Sequence, residues 1–143
     1  MTERSPTDQT LIELTGRLIE RRSVSPDDAG CQDILYAVLA PLGFQRVQYD
    51  FADVKNLWAV KEGNEPGPTL IFAGHTDVVP SGPTDAWSSD PFTPTVSQDV
   101  IYGRGAADMK GALAAMMLAA ERFITDHPDF KGRLGFLITS DEE

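Results

Sequence analysis

The 143-residue sequence predicts an α/β fold, a sandwich of helices against a mixed, largely parallel sheet. Two patterns carry that expectation. Apolar residues recur at helical spacing in well-separated stretches, and between them lie short runs that are apolar at consecutive positions, as strands buried on both faces are. Composition agrees: 41% hydrophobic and 24% charged residues is ordinary for a globular chain and excludes disorder and coiled coil.

The elements follow in order. Leu11, Leu14 and Leu18, with Ile12 and Ile19, form one stripe, and Glu13, Arg17, Glu20 and Arg21 lie between them, which predicts an amphipathic helix. Ser25-Pro26-Asp27-Asp28 predicts the start of a second helix, with serine as N-cap, proline in the first turn and carboxylates at the positive end of the dipole. Cys31, Ile34, Leu35, Val38, Leu39 and Leu42 continue its buried face, and Gly43 is the expected C-cap. Strands are expected at residues 44–49, 57–60 and 69–73, the last after the turn-rich Gly63-Asn64-Glu65-Pro66-Gly67-Pro68. Leu70-Ile71-Phe72-Ala73 reads as a buried central strand. Residues 80–98, with Pro80, Gly82, Pro83, Pro91 and Pro94, read as a long irregular loop, a kind that is often functional. Met109, Leu113, Met116, Met117, Ala120 and Ile124 form the stripe of a third helix, widened by alanines at 112, 114, 115 and 119. Leu134-Gly135-Phe136-Leu137-Ile138-Thr139 is a second fully apolar strand, and it runs into Ser140-Asp141-Glu142-Glu143.

Charge and cysteine usage narrow the partners. A formal charge of −10 argues against nucleic acid and anionic membrane surfaces, which need a basic footprint. The single cysteine, Cys31, cannot form an internal disulfide and fits a reducing cytoplasm. Met1-Thr2-Glu3-Arg4-Ser5-Pro6 has no apolar run after its charges, so no secretory signal is expected. No stretch approaches the roughly 18 apolar residues of a membrane span.

Three polar clusters stand at junctions between elements. They are Gly74-His75-Thr76-Asp77 at the end of one apolar strand, Gly103-Arg104-Gly105-Ala106-Ala107-Asp108 before the third helix, and Asp141-Glu142-Glu143 after the other apolar strand. Singly, each has a plain structural explanation: a hydrogen-bonded histidine, a turn-capping Asp77, a helix-capping Asp108, solvated glutamates. Together they suit metal chemistry, because imidazole with carboxylates is a zinc donor set and a carboxylate can bridge two ions. An aspartate two residues from a ligand histidine can fix its tautomer, and adjacent glutamates can supply one ligand and one base. Gly103-x-Gly105 invites comparison with a dinucleotide-binding loop, but Asp108 stands where the third glycine belongs and would repel a pyrophosphate. A non-catalytic interaction module leaves the clustering unexplained.

These clusters, together with Arg22-Ser23-Val24-Ser25-Pro26-Asp27, Val78-Val79-Pro80 and Trp87-Ser88-Ser89-Asp90-Pro91-Phe92, resemble the zinc-dependent aminoacylase and carboxypeptidase family over nearly the whole chain. The resemblance implies a three-layer α/β/α zinc-peptidase-like catalytic domain holding two Zn2+ per subunit, with Co2+ as a substitute. It implies that His75 binds one zinc, Asp77 orients it, Asp108 bridges both ions, Glu143 binds the second and Glu142 is the general acid/base. The implied reaction is hydrolysis of N-succinyl-LL-2,6-diaminopimelate to succinate and LL-2,6-diaminopimelate, in lysine and cell-wall precursor synthesis, by a cytoplasmic homodimer. Acetylornithine deacetylation or metallo-carboxypeptidase activity is the alternative within the family. The family pattern continues past the Glu-Glu pair with a further acidic ligand, a ligand histidine and a dimerisation domain. Residues 1–143 are accordingly expected to be the N-terminal part of the catalytic domain, truncated at its C-terminal side, with an apolar sheet edge, weakened metal binding and little activity alone. His127, in Asp126-His127-Pro128-Asp129, matches no family ligand and is expected in a surface turn.

Overall fold

The computed structural model describes residues 5–143; residues 1–4, which belong to the stretch expected to hold no secretory signal, lie outside them. A capping box opens α1 (Pro6–Ile19): the Ser5 hydroxyl accepts the Asp8 backbone N–H, and the Asp8 carboxylate accepts the Ser5 N–H, both at 3.2 Å. The predicted stripe then buries Leu14, Leu18 and Ile19. The second helix departs from expectation. Ser25 is not its cap; α2 (Cys31–Leu39) begins after Gly30, which has a left-handed φ of 81°. The anticipated carboxylate is Asp28, which accepts the Gln32 N–H at 3.1 Å, while Ser25 turns its hydroxyl elsewhere. Gly43, at φ 87°, ends the turn that follows α2, as its position predicts.

The main sheet is built from β1 (Gln45–Gln48), β2 (Asn56–Glu62), β3 (Glu65–His75) and β6 (Lys131–Thr139), in the order β1-β2-β6-β3. β1–β2 and β2–β6 are antiparallel and β3–β6 is parallel, so the sheet is mixed as predicted but only partly parallel rather than largely so, the β1–β2 and β2–β6 neighbours running antiparallel. β3 is an edge among the described strands, not the central strand expected of residues 70–73. A run of consecutive apolar residues records what covers the two faces of a strand, not how many strands flank it, and Leu70 is 57% exposed here. The interior strands are β2 and β6, and β6 is the one that β3 pairs with.

Helices α1, α2 and α3 (Gly111–Asp126) cover one face. Their Leu18, Leu35, Leu39, Leu113 and Met117 close over Leu57, Ala59, Leu134, Phe136 and Ile138 of β2 and β6. Phe136 is fully buried, stacked on Phe72 at 5.2 Å between ring centroids and edge-on to Phe44 at 5.6 Å. Burying such a side chain contributes roughly 1.5–3 kcal/mol. The other face carries Val47, Trp58, Ile71 and Leu137, the last 48% exposed. Trp58 lies across Gly135, where a Cβ would stand 2.5 Å from the indole ring.

The 80–98 segment is irregular as predicted but firmly attached. It contains the short turn Thr84–Ala86 and ends in a hairpin of β4 (Thr95–Ser97) and β5 (Val100–Tyr102). The Arg104 guanidinium lies 5.1 Å over Trp87, whose indole N–H donates to the Ser81 carbonyl at 3.0 Å. Between β5 and α3, Lys110 is buried and its ammonium donates to the Leu18 and Arg21 carbonyls at 2.8 and 2.9 Å. A cation at the C-terminal end of α1 complements the helix dipole; burial still holds the Lys110 pKa below its usual 10.5. Among the described residues no helix is long and apolar enough to cross a membrane.

Candidate metal centre and active site

Parallel pairing of β3 with β6 brings two of the polar clusters to one end of the sheet. His75 stands opposite Thr139, and the Thr76 N–H extends the ladder to the Thr139 carbonyl at 2.9 Å. The His75 side chain is only 5% exposed, and its Nε2 faces the Asp108 carboxylate at 3.0 Å and Glu142 Oε2 at 3.6 Å. Asp108 comes from the irregular turn Ala106–Lys110, at φ −129° and ψ 101°, so it is not the cap of α3. Its side chain is instead 74% exposed and directed at the imidazole. Gly74 admits this turn: a Cβ there would lie 3.0 Å from the Met109 methyl group, and the His75 N–H donates to the Met109 sulfur at 3.4 Å.

Asp77 has no exposed surface. Its carboxylate accepts the backbone N–H groups of Glu142 and Glu143, at 3.1 and 3.2 Å, and the Ser25 hydroxyl. Burial alone would push its pKa up, but the Ser25 hydroxyl and the two amides outweigh burial and hold the carboxyl below its usual 3.8. His75 Nδ1 has the Asp77 backbone carbonyl at 3.0 Å and the Asp77 carboxylate at 3.4 Å. Burial pulls the imidazole down, yet the Asp108 hydrogen bond and the Asp77 carbonyl and charge prevail, leaving it above its usual 6.5.

One ligand atom each from His75, Asp108 and Glu143 can be chosen so that all lie within 4.8 Å of one another. One imidazole nitrogen with two carboxylate oxygens fits the donor preferences of zinc. Glu142 lies outside that group, its carboxylate 62% exposed beside His75. Residues 75, 77, 108, 142 and 143, singled out from sequence, are therefore brought together at one place. The cleft there, about 560 Å3, is also lined by Asn56, Met109 and Leu137, which sequence reasoning missed. Asn56 is brought in by its register opposite Thr139, a long-range pairing that no local pattern announces. His127 lies apart at the end of α3, its ring 5.2 Å from that of Phe123.

Residues 71–143 match Peptidase family M20/M25/M40, and the chain belongs to that family. Within it, the chain is 57% identical over 132 residues to the succinyl-diaminopimelate desuccinylase of Thioalkalivibrio sulfidiphilus (strain HL-EbGR7), a match covering 92% of this chain and 35% of that protein. Among solved structures, the M20 family metallo-carboxypeptidase Sso-CP2 from Sulfolobus solfataricus superposes with a TM-score of 0.75 at 26% identity, over 94% of this chain and 30% of that one. The Bacillus subtilis YXEP protein, described as a dinuclear metal binding peptidase, shares the fold with a TM-score of 0.67 at 17% identity, over 92% of this chain and 34% of that one. The chain thus spans about a third of the length of these relatives.

Proposed function

We propose that this chain contributes to the active site of a zinc-dependent amide hydrolase that cleaves N-succinyl-LL-2,6-diaminopimelate into succinate and LL-2,6-diaminopimelate. The observation that carries the reading is the convergence of His75, Asp108 and Glu143 with the exposed Glu142 carboxylate beside His75. The choice of substrate is supported by the 57% identity to a desuccinylase. His75 and Glu143 would each hold one metal ion and Asp108 would bridge the two, with cobalt as a substitute for zinc. When bound, such ions lower the pKa of water and polarise a carbonyl oxygen. The chain's own residues do the rest. Glu142 removes a proton from the attacking water as the new C–O bond forms, then delivers it to the nitrogen as the C–N bond breaks. Asp77 holds the His75 ring in place and aligns the backbone that carries Glu142.

The activity is proposed for the protein at the full length of its relatives, as a cytoplasmic homodimer acting on a small molecule, within lysine and diaminopimelate synthesis. The three donors grouped among the described residues fall short of two four-coordinate sites, so residues 1–143 alone are expected to turn over slowly. At full length, Glu142→Ala should retain zinc while turnover falls by roughly 10²–10⁴-fold; full turnover in that variant would remove Glu142 as the base. Succinyl-diaminopimelate should be cleaved in preference to acetylornithine, and the reverse order would favour the deacetylase alternative.

A further inference from the structure

We infer that Ser25 is a positioning residue for the candidate base Glu142 and the candidate ligand Glu143, its hydroxyl latching the Asp77 carboxylate against their backbone. The consequence for catalysis rests on the function proposed above; the latch itself rests on geometry. Residues 141–143 follow β6 without regular structure, and their side chains are exposed. The Asp141 N–H donates to the Thr139 hydroxyl at 3.4 Å, and Asp77 holds the next two residues, its Oδ2 accepting both the Glu142 and the Glu143 N–H.

That oxygen can serve both amides only if the carboxylate is fixed in rotation about its Cβ–Cγ bond. Ser25 fixes it by donating to the same Oδ2, while Oδ1 lies 3.4 Å from His75 Nδ1 and shares the Glu142 N–H at 3.3 Å. Asp77 has no exposed surface, so water cannot take over this task, and a buried charge needs donors from the protein.

Ser25 is itself held in place. Its N–H donates to the Val78 carbonyl at 3.2 Å, and the Val78 N–H returns to the Ser23 carbonyl at 2.8 Å. The Ser23 hydroxyl donates to the Thr76 carbonyl at 2.7 Å, and the Pro26 carbonyl accepts the Ser140 hydroxyl at 2.7 Å. Residues 23–26 thus form a strap across the His75–Val78 extension and the start of the Glu142–Glu143 segment, and Ser25 is the point at which the strap grips a functional side chain. Within Ser25-Pro26-Asp27-Asp28, which reads as a helix start in sequence, Ser25 and Pro26 serve this strap instead, and Asp28 alone accepts an N–H of α2.

The test uses the full chain with Ser25→Ala, Ser25→Cys and Ser25→Thr, read by amide hydrogen exchange and by zinc titration. The latch predicts that Ser25→Ala and Ser25→Cys speed exchange at Glu142 and Glu143 by roughly tenfold, the effect of losing one hydrogen bond to a charged group, and weaken zinc binding by a similar factor. Ser25→Thr, which restores the hydroxyl, should stay within about twofold of the parent by the same reasoning. Core amides of β6 should keep their protection in all three, which separates the latch from general loss of packing. If Ser25→Ala does not fold, the cysteine and threonine pair decides. Unchanged exchange at Glu142 and Glu143, equal behaviour of cysteine and threonine, or a uniform loss of protection through β6 would each overturn the latch. A parent chain with the expected exchange pattern but no zinc binding would uphold the latch and defeat the metal-centre reading instead.

Discussion

Replacing Asp77 by asparagine removes one charge from a fully buried side chain while keeping its shape. Three donors end on the carboxylate: the Ser25 hydroxyl and the Glu142 and Glu143 amides. A hydrogen bond to a charged acceptor is worth about 1.5–3 kcal/mol and a neutral one about 0.5–1.5 kcal/mol, so neutralising the acceptor costs about 1 kcal/mol per bond. The expected loss at pH 7 is therefore about 3 kcal/mol, or roughly 10 °C in Tm for a chain of this length. Urea denaturation of the metal-free protein in EDTA measures it. The pH dependence is the sharper test. Despite its burial, Asp77 is held below its usual 3.8 by Ser25 and the two amides. A depressed acid contributes stability that is fully present above the unfolded pKa and is lost as pH falls through the folded one. The gap between parent and Asp77→Asn should then be full at pH 7 and shrink below pH 3.8. Equal stability at pH 7, or a gap that persists unchanged at low pH, would refute the account of Asp77 as a charged junction.

Other outcomes follow from the same structure. Phe136→Ala, which empties a fully buried ring site between Phe44 and Phe72, should cost about 3–5 kcal/mol in urea denaturation. Burial pushes the Cys31 thiol up to about 11, so a disulfide reagent at pH 8 should label it only after the chain is unfolded. His75 must be neutral to bind zinc, so calorimetric affinity should fall by about tenfold per pH unit once the pH drops below its raised pKa. In the metal-free protein the sign reverses: the stability that protonated His75 contributes is complete below its usual 6.5 and fades as pH rises through the folded value. A pH-independent zinc affinity would count against His75 as a ligand.

Much of this was legible in the sequence because it is written locally. The stripe containing Leu14 and Leu18, the Gly43 stop and the apolar run of β6 are each decided by residues within a few positions of one another. The convergence of residues 75, 108 and 142–143 could be anticipated because each lies where a strand or loop ends. What could not be read depends on partners remote in sequence. Ser25 offers the residue types of a helix cap, but its hydroxyl serves a carboxylate 52 positions away. Leu70-Ile71-Phe72-Ala73 has the apolarity of a central strand, yet its place at an edge is decided by β6 pairing on one side of it. Asp108 has the identity of a cap, whereas its backbone, at φ −129°, belongs to no helix.

The position of β6 has a consequence for the order in which the molecule can be made. β2 and β3 each pair with β6 and not with one another, although β6 is the last strand in sequence. A chain emerging N-terminus first can form its helices and the β1–β2 hairpin, but the second edge of β2, at Leu57 and Ala59, and Phe72 of β3 lack their β6 partners until Lys131–Thr139 has been synthesised. Such non-local pairing bears its loop-closure cost before any reward, which makes it the slow event and leaves apolar surface open in the meantime. The acidic pair Glu142–Glu143 follows the closing strand directly. The β2–β6–β3 core and the approach of Glu142 and Glu143 to His75 therefore arise in one step, and a chain caught before that step has not yet brought His75, Asp108 and Glu143 together.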